Sequence, residues 1–254
     1  MLSLAAGTVL DLSPGDAVEC AAAAGFPLAG VRIADPRTQA RGVAEALRRT
    51  GTRLLDVEVV RLAGPLTGAQ RGLAETAAGL GARFLLTVSE DPDESATVDR
   101  LAELAALMGG RTRVALECMA FTAVRTRAAA ERIARAVPGA VVLLDPLHLH
   151  RAGDRLDDPA DPALTGYAQL CDVADPARVP ADLAHEARHD RLPPGRGGLP
   201  LAAFVAGLPA GLPLSVEVQS DVLAELDPRD RAVLVRTAAE AVLRPARDDT
   251  TGRN

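Results

Sequence analysis

The sequence contains no lysine, so all 28 of its basic side chains are arginines. Schiff-base aldolases, pyridoxal-phosphate enzymes and Walker-type phosphate loops each depend on a lysine amine. Arginine cannot replace that amine as a base, because its guanidinium stays protonated. These three kinds of site are therefore excluded.

Aromatic residues are also scarce, with no Trp, one Tyr and four Phe. Sites for single-stranded nucleic acid or for a sugar ring usually offer aromatic faces on which the ligand stacks. The formal net charge of −6 further disfavours a nucleic-acid partner, because such proteins normally carry a basic surface. We therefore expect no nucleic-acid partner.

Cysteines and long apolar runs are few as well. Cys20, Cys118 and Cys171 are an odd, scattered set without CxxC spacing, which indicates reduced thiols rather than a disulfide framework or a zinc ribbon. No apolar run approaches the roughly 18 residues of a membrane span. The first residues lack the charged start and cleavage site of a secretion signal. We expect a cytoplasmic protein that does not enter a membrane.

Short Val- and Leu-rich runs alternate with segments of helical period along the chain, which predicts βα units and a parallel sheet. Eight strands and eight helices at a spacing of ~30 residues match a single-domain (β/α)8 TIM barrel. An open doubly wound sheet is the alternative, but Ala6-Gly7-Thr8 is a poor version of the Gly-rich turn that it needs. The predicted barrel covers 1–245, and 246–254 is predicted to be a disordered tail.

Polar side chains mark the ends of four consecutive predicted strands. The strands are predicted over Arg113–Glu117, Val141–Asp145, Tyr167–Asp172 and Leu214–Val218, and their polar residues are Glu117, Asp145, Gln169 with Asp172, and Glu217. Segments 146–162 and 176–198 are predicted to be connections, irregular apart from any helix that Asp145 caps. The chemistry of α/β barrels lies at the ends of the strands. Asp145 alone could equally be the cap of a following helix.

An ionised carboxylate in an apolar strand is costly unless it is paired or bound to a metal. Three carboxylates and one amide oxygen, from Glu117, Asp145, Glu217 and Gln169, would suit Mn²⁺ or Mg²⁺, with Co²⁺ or Zn²⁺ as alternatives. The competing interpretation is that each acid pairs with one of the 28 arginines.

Five segments resemble, in their order and spacing, the sugar phosphate isomerase/epimerase family, the xylose isomerase-like TIM barrels. They are Glu117, Asp145-Pro-Leu-His148-Leu-His-Arg151, Gln169-Leu-Cys-Asp172, Arg191-Leu-Pro-Pro-Gly195-Arg-Gly197 and Ser215-Val-Glu217. The resemblance implies one divalent metal held by Glu117, Asp145, Gln169 and Glu217. It also implies that the two glutamates form an acid/base pair on opposite sides of a bound carbonyl compound.

The resemblance further implies two substrate contacts. His148 matches the position that contacts substrate hydroxyls near the metal, and Arg191 matches the loop that closes over the substrate. Glu58, on the third predicted strand, faces the same rim and is interpreted as the partner of an arginine or as a substrate contact. Gln169 stands where many sugar epimerases of the family have His, a variant closer to the dehydratases.

The predicted function is a metal-dependent isomerase or epimerase that acts on a small polyhydroxylated carbonyl compound through an enediolate. A dehydratase of a cyclic keto-polyol is the alternative, because the same site can expel a β-hydroxyl. A barrel that only binds a metabolite or a protein is a third reading. An apurinic-site endonuclease is disfavoured, because it needs several zinc ions held by many histidines and this chain has only four histidines. A homo-oligomer is compatible with the sequence.

Overall fold

Eight parallel strands pair in sequence order and close on themselves in the computed structural model, which describes residues 1–244. They are β1 (Leu2–Leu4), β2 (Leu28–Arg32), β3 (Arg53–Leu62), β4 (Phe84–Ser89), β5 (Arg113–Glu117), β6 (Val141–Leu144), β7 (Thr165–Leu170) and β8 (Leu214–Val216). The pairing of β1 with β8 completes the barrel. The predicted single-domain TIM barrel is confirmed. The predicted tail, 246–254, lies outside the described residues.

Helices follow the strands around the outside of the barrel. They are α1 (Pro14–Ala23), α2 (Pro36–Thr50), α3 (Gly68–Gly79), α4 (Glu94–Met108), α5 (Arg127–Ala136), α6 (Pro146–Ala152), α7 (Leu183–His189), α8 (Leu201–Ala206), α9 (Asp221–Ala224) and α10 (Pro228–Leu243). Their ends follow local rules. Ser13 caps α1 ahead of a Pro at the first helical position, and α2 ends at Gly51 with φ of 72°, a left-handed conformation that suits glycine. Within residues 1–244, no helix is both long enough and apolar enough to cross a bilayer.

Apolar side chains form two layers. The larger layer lies between the strands and the helices, and a smaller cluster fills the barrel interior around Leu28, Leu55, Phe84 and Tyr167. The rings of Phe84 and Tyr167 stack with their centroids 4.9 Å apart. Each fully buried side chain of this kind contributes about 1.5–3 kcal/mol. The interior is therefore packed below the carboxyl ends of the strands, and the polar residues lie above this packing.

Two short helices lie in segments where the sequence predicts mainly irregular structure. Helix α6 occupies part of the connection after β6, and α7 lies within 176–198. Each has seven residues and begins at an aspartate, Asp145 or Asp182, whose side chain accepts backbone N–H groups of the first turn. Two turns are too short for a clear helical period. The capping aspartates were the usable signal.

Asp172 holds the segment that follows β7. Its fully buried carboxylate accepts hydrogen bonds from the backbone N–H groups of Val173 at 2.9 Å, Gly195 at 3.1 Å, Gly197 at 3.0 Å and Leu199 at 2.9 Å. A Cβ atom on Gly197 would collide with the carbonyl oxygen of Val173. Asp172 thus fixes the turn that carries the Pro-Pro-Gly sequence beside the barrel mouth.

We expect Asp172→Ala to lower the free energy of unfolding by about 3 kcal/mol or more, because it removes the acceptor of four backbone N–H groups. Urea unfolding followed by circular dichroism measures this loss. Asp175→Ala is the matched control, since Asp175 caps an exposed turn only. A loss no larger for Asp172→Ala than for the control would contradict this anchoring role.

Candidate active site

The carboxyl ends of β5 to β8 bring the four predicted metal ligands to one side of the barrel. Glu117, Asp145, Gln169 and Glu217 are each 5% exposed or less. Strands β5, β6, β7 and β8 are hydrogen-bonded neighbours. Four buried polar side chains therefore share the C-terminal rim, as the strand ends predict.

Three groups lie close enough to hold one metal ion. Glu117, Asp145 and His148 each offer one ligand atom, and these atoms lie within 4.8 Å of one another. The Nε2 atom of His148 is 3.8 Å from Oε1 of Glu117. The sequence predicts His148 as a substrate contact, whereas the structure places it among the predicted ligands.

Two buried oxygens at this rim have no hydrogen-bond partner among the described residues. They are Oε1 of Glu117 and Oε1 of Gln169. A buried polar atom without a partner costs about 1–3 kcal/mol. Carboxylate, amide and imidazole groups are all suitable ligands for a divalent cation. The residues present therefore fit a divalent metal.

Asp145 has the capping role that its sequence position left open, and it also forms a buried ion pair. Its Oδ1 atom accepts the backbone N–H groups of Leu147 at 2.7 Å and His148 at 3.2 Å, which caps α6. Its Oδ2 atom accepts Nη1 of Arg191 at 2.6 Å. With the Sγ atom of Cys171, 3.8 Å from Oδ1, four donors surround the roughly four acceptor positions of this carboxylate, so a metal would have to displace one of them.

Arg191 lies inside the candidate site, with 1% of its surface exposed. Besides Asp145, its guanidinium contacts Glu217 at 3.4 Å and Nε2 of His148 at 3.3 Å. Its Nε atom donates to the carbonyl oxygen of Ala187 at 2.7 Å, which anchors it to α7. The sequence predicts that Arg191 lies on a loop that closes over the substrate. In the structure its guanidinium group is instead buried against the carboxylates of Asp145 and Glu217.

Arginine pairing, the competing interpretation of the acids, accounts for part of the set. Arg191 pairs with Asp145 and Glu217, and Arg32 pairs with Glu58 at 2.8 Å. Among the described residues, no arginine pairs with Glu117. Pairing alone therefore does not explain why Glu117 is buried at this rim.

A cavity with about 80 Å³ of water-accessible volume opens above these residues. One wall is apolar and consists of Val59, Leu86, Met119 and Phe121. Phe121 meets the ring of His148 edge-on, with centroids 5.6 Å apart. The cavity can hold a compact ligand with one carbon face against this wall.

The charged wall of the cavity contains one residue that the sequence predicts and three that it does not. Glu58 lines the cavity as predicted, and Arg32, Arg61 and Arg188 line it without having been predicted. Arg32 and Arg61 lie at the ends of β2 and β3, so the strand-end rule applied to the first half of the chain would have found them. Arg188 lies on α7 and carried no such signal.

The remaining histidines lie apart from the cavity lining. His185 and His189 stack on α7 with centroids 4.5 Å apart, and His189 pairs with Asp221 at 2.9 Å. His150 contacts the carbonyl oxygen of Pro176 at 2.9 Å. None of the three lines the cavity.

The model of the xylose isomerase-like TIM barrel family matches residues 18–242. The chain belongs to this family. A comparison with curated protein sequences gives no significant match.

Solved structures share the fold. The chain is similar to the IolI protein with a bound zinc atom (TM-score 0.80, 19% identity, 95% of this chain and 97% of that one). It is also similar to AsbF of Bacillus anthracis, described as a probable 3-DHS dehydratase (TM-score 0.69, 14% identity, 94% and 98%). A third is D-psicose 3-epimerase, solved with D-fructose (TM-score 0.66, 12% identity, 95% and 99%). At these identities the likeness shows the barrel fold alone.

The two glutamates of this xylose isomerase-like barrel resist ionisation. Burial raises the pKa of Glu117 well above its usual range, and repulsion by Glu217 and Asp145 adds to the effect. Burial also raises the pKa of Glu217, to about 7, because Arg191 offsets only part of the cost. Both glutamates are thus able to carry a proton near neutral pH.

The pKa values of the neighbouring groups Asp145 and His148 are lowered. Burial would raise the pKa of Asp145, but the charge of Arg191 and its hydrogen bonds hold that pKa below its usual value. Burial lowers the pKa of His148 to about 4, so its imidazole is neutral. Because a guanidinium can only donate, Nε2 of His148 accepts from Arg191 and the ring proton lies on Nδ1.

The raised pKa of Glu217 predicts how metal-free protein responds to pH. Its folded-state pKa of about 7 lies above the ordinary 4.5, so the folded state binds more protons than the unfolded state between these values. The free energy of unfolding therefore falls as pH rises from about 4.5 to 7, because Glu217 loses its proton less readily in the folded state. In EDTA-treated protein, we expect Glu217→Gln to reduce the loss of unfolding free energy between pH 5 and 8 by about 2–3 kcal/mol.

Urea unfolding at both pH values tests this expectation. Glu75→Gln, at an exposed position of α3, is the control and should follow wild type. Equal pH dependence in wild type and Glu217→Gln would show that Glu217 titrates as an ordinary glutamate.

Proposed function

We propose that this xylose isomerase-like barrel is a divalent-metal-dependent isomerase or epimerase of a small polyhydroxylated carbonyl compound. The observation that carries the proposal is the pair Glu117 and Glu217. Both are buried at the ends of different strands, both line one cavity, and both have a raised pKa. Two such carboxyl groups beside a cluster of metal-ligating atoms suit proton removal next to a carbonyl group.

The residues that would hold the metal are Glu117, Asp145, Gln169 and Glu217, with His148 within reach of the same position. Their oxygen-rich composition favours Mn²⁺ or Mg²⁺. When bound, such a cation polarises the carbonyl and adjacent hydroxyl oxygens of a substrate and stabilises the enediolate. The unpartnered oxygens of Glu117 and Gln169 support this assignment.

The side chains supply the proton transfers. In this mechanism one glutamate removes the proton from the carbon next to the carbonyl group, and the proton returns to the same carbon for epimerisation or to the neighbouring carbon for isomerisation. His148, whose imidazole is neutral, contacts a substrate hydroxyl. The apolar wall of the cavity excludes water from one side of the substrate.

A dehydratase of a cyclic keto-polyol is the second candidate. Loss of a β-hydroxyl requires a group that delivers a proton to the leaving oxygen, in addition to the base. Glu117 and Glu217 can divide these roles, because the raised pKa of each lets one stay protonated as the acid while the other, ionised, is the base. The similarity in fold to a probable 3-DHS dehydratase is consistent with it.

We expect one divalent ion per chain. EDTA-treated protein titrated with Mn²⁺ in a calorimeter should bind it near unit stoichiometry, and Glu117→Ala or Asp145→Ala should weaken binding at least about tenfold. Glu103→Ala, on α4 away from the cavity, should bind as wild type does. Absence of stoichiometric Mn²⁺ binding would refute the metal assignment.

We expect the protein to exchange carbon-bound protons. Incubation with a panel of ketoses and cyclic keto-polyols in D₂O, followed by NMR, should show deuterium next to the carbonyl carbon of the substrate. Glu117→Gln and Glu217→Gln should each slow the exchange at least about 100-fold, the usual contribution of a general acid or base.

The same assay separates the candidate functions. An isomerase or epimerase conserves the atoms of its substrate, whereas a dehydratase also gives a product that has lost water. Activity or binding that survives both glutamine substitutions would instead support a non-catalytic barrel.

A further inference from the structure

The cavity above the carboxylates is lined by more cationic than anionic side chains. Its cations are Arg32, Arg61, Arg188 and Arg191, and its anionic groups are Glu58, Glu117 and Glu217. All four cations are guanidinium groups and keep their charge at any physiological pH. Which of them remain available to a ligand depends on the partners that they already have.

Two of the four arginines are committed to buried acids. Arg191 is bound to Asp145 at 2.6 Å and lies against Glu217. Arg32 donates to Glu58 at 2.8 Å, and Glu58 is 4% exposed. Both guanidinium groups balance internal charge, which reduces their attraction for a ligand, although the Nε atom of Arg32 has no hydrogen-bond partner within residues 1–244.

Arg188 has no carboxylate or hydrogen-bond partner for its side chain within residues 1–244, although it lines the cavity. Its backbone is held firmly, because the preceding residues of α7 are anchored on both sides. Glu186 pairs with Arg151 at 2.6 and 2.8 Å, and the carbonyl oxygen of Ala187 accepts Nε of Arg191. Arg188 therefore presents an unpaired guanidinium group to the cavity from a helix whose position is fixed by these contacts.

Arg61 lines the cavity from β3, across the barrel from the segment after β7. Its partner is Glu90, at 3.1 Å, and the two side chains are 43% and 39% exposed. Exposed pairs of this kind contribute only about 0–1 kcal/mol. A ligand anion can therefore compete with Glu90 for Arg61, but at a disadvantage compared with the unpaired Arg188.

We propose that the substrate carries a carboxylate or phosphate group and that Arg188 binds it, with a smaller contribution from Arg61. Guanidinium groups match the paired oxygens of both anions. The carbon skeleton of the substrate would lie against the apolar wall of the cavity. This inference rests on the proposed function, since it assigns the substrate class of the same cavity.

Calorimetric titration of the Mn²⁺-loaded protein with three probes tests the assignment. Gluconate is a polyol carboxylate, glucose 6-phosphate is a polyol phosphate, and sorbitol is a neutral polyol. We expect at least one anion to bind at least about tenfold more tightly than sorbitol, as expected for a charged hydrogen bond. The more tightly bound anion identifies which of the two groups the cavity prefers.

Substitutions then locate the contact. Arg188→Gln should weaken binding of the preferred anion at least about tenfold and leave sorbitol within about twofold, whereas Arg61→Gln should cost about threefold. Arg111→Gln is the matched control, because Arg111 is exposed at the opposite end of the barrel, just before β5. Its affinities should equal those of wild type.

Two results would overturn the inference: no preference for either anion over sorbitol, or anion binding by Arg188→Gln within about twofold of wild type. The titrations are repeated after EDTA treatment, and Mn²⁺ binding and proton exchange are measured on the same samples. Protein that binds Mn²⁺ and exchanges protons without preferring an anion refutes the substrate class alone. Anion binding that depends on Arg188 in protein that binds no Mn²⁺ refutes the metal-dependent function alone.

Discussion

The buried ion pair between Arg191 and Asp145 is the contact on which the rest of the site depends. Its atoms lie 2.6 Å apart, and neither side chain is more than 2% exposed. Asp145 also caps α6, and Arg191 also binds the backbone of α7 and faces Glu217. One contact therefore joins the end of β6, the segment after β7 and the end of β8. Removing one partner of such a pair usually costs about 3–5 kcal/mol, because the other charge remains buried.

The same pair gives neighbouring carboxyl groups different protonation behaviour. Asp145, in direct contact with the guanidinium, has a pKa below its usual value. Glu217, which lies 3.4 Å from that guanidinium, has a pKa of about 7, and Glu117, without an arginine partner, has a pKa well above its usual range. Burial acts to raise the pKa of all three acids, and the direct contact with Arg191 reverses this effect for Asp145. Separation of this kind is what allows similar side chains to act as ligand, acid and base.

The sequence was sufficient for the barrel and for the rim positions of Glu117, Asp145, Gln169 and Glu217. Each lies at or near the end of an apolar run, and parallel strands place such ends together. It was not sufficient for contacts between distant segments. Arg191 meets Asp145 across 46 positions of the chain, and although the Pro-Pro-Gly segment marks this arginine, nothing local in the sequence identifies its partner. Asp172 likewise follows a strand as the metal-ligand candidates do, yet its carboxylate is used up by four backbone N–H groups. Local patterns give the direction of a side chain, whereas its partners depend on the folded neighbours.

The absence of lysine has a consequence for how this cavity responds to pH. Every cation that lines it is a guanidinium group, whose charge does not change between pH 5 and 9. The groups that can change protonation there are the carboxyl groups and His148. With a pKa of about 4, His148 stays neutral in this range, and Glu217, with a pKa of about 7, titrates within it. In the metal-free cavity, an increase in pH therefore adds negative charge beside constant positive charge. Any attraction of the cavity for an anion must weaken in that direction.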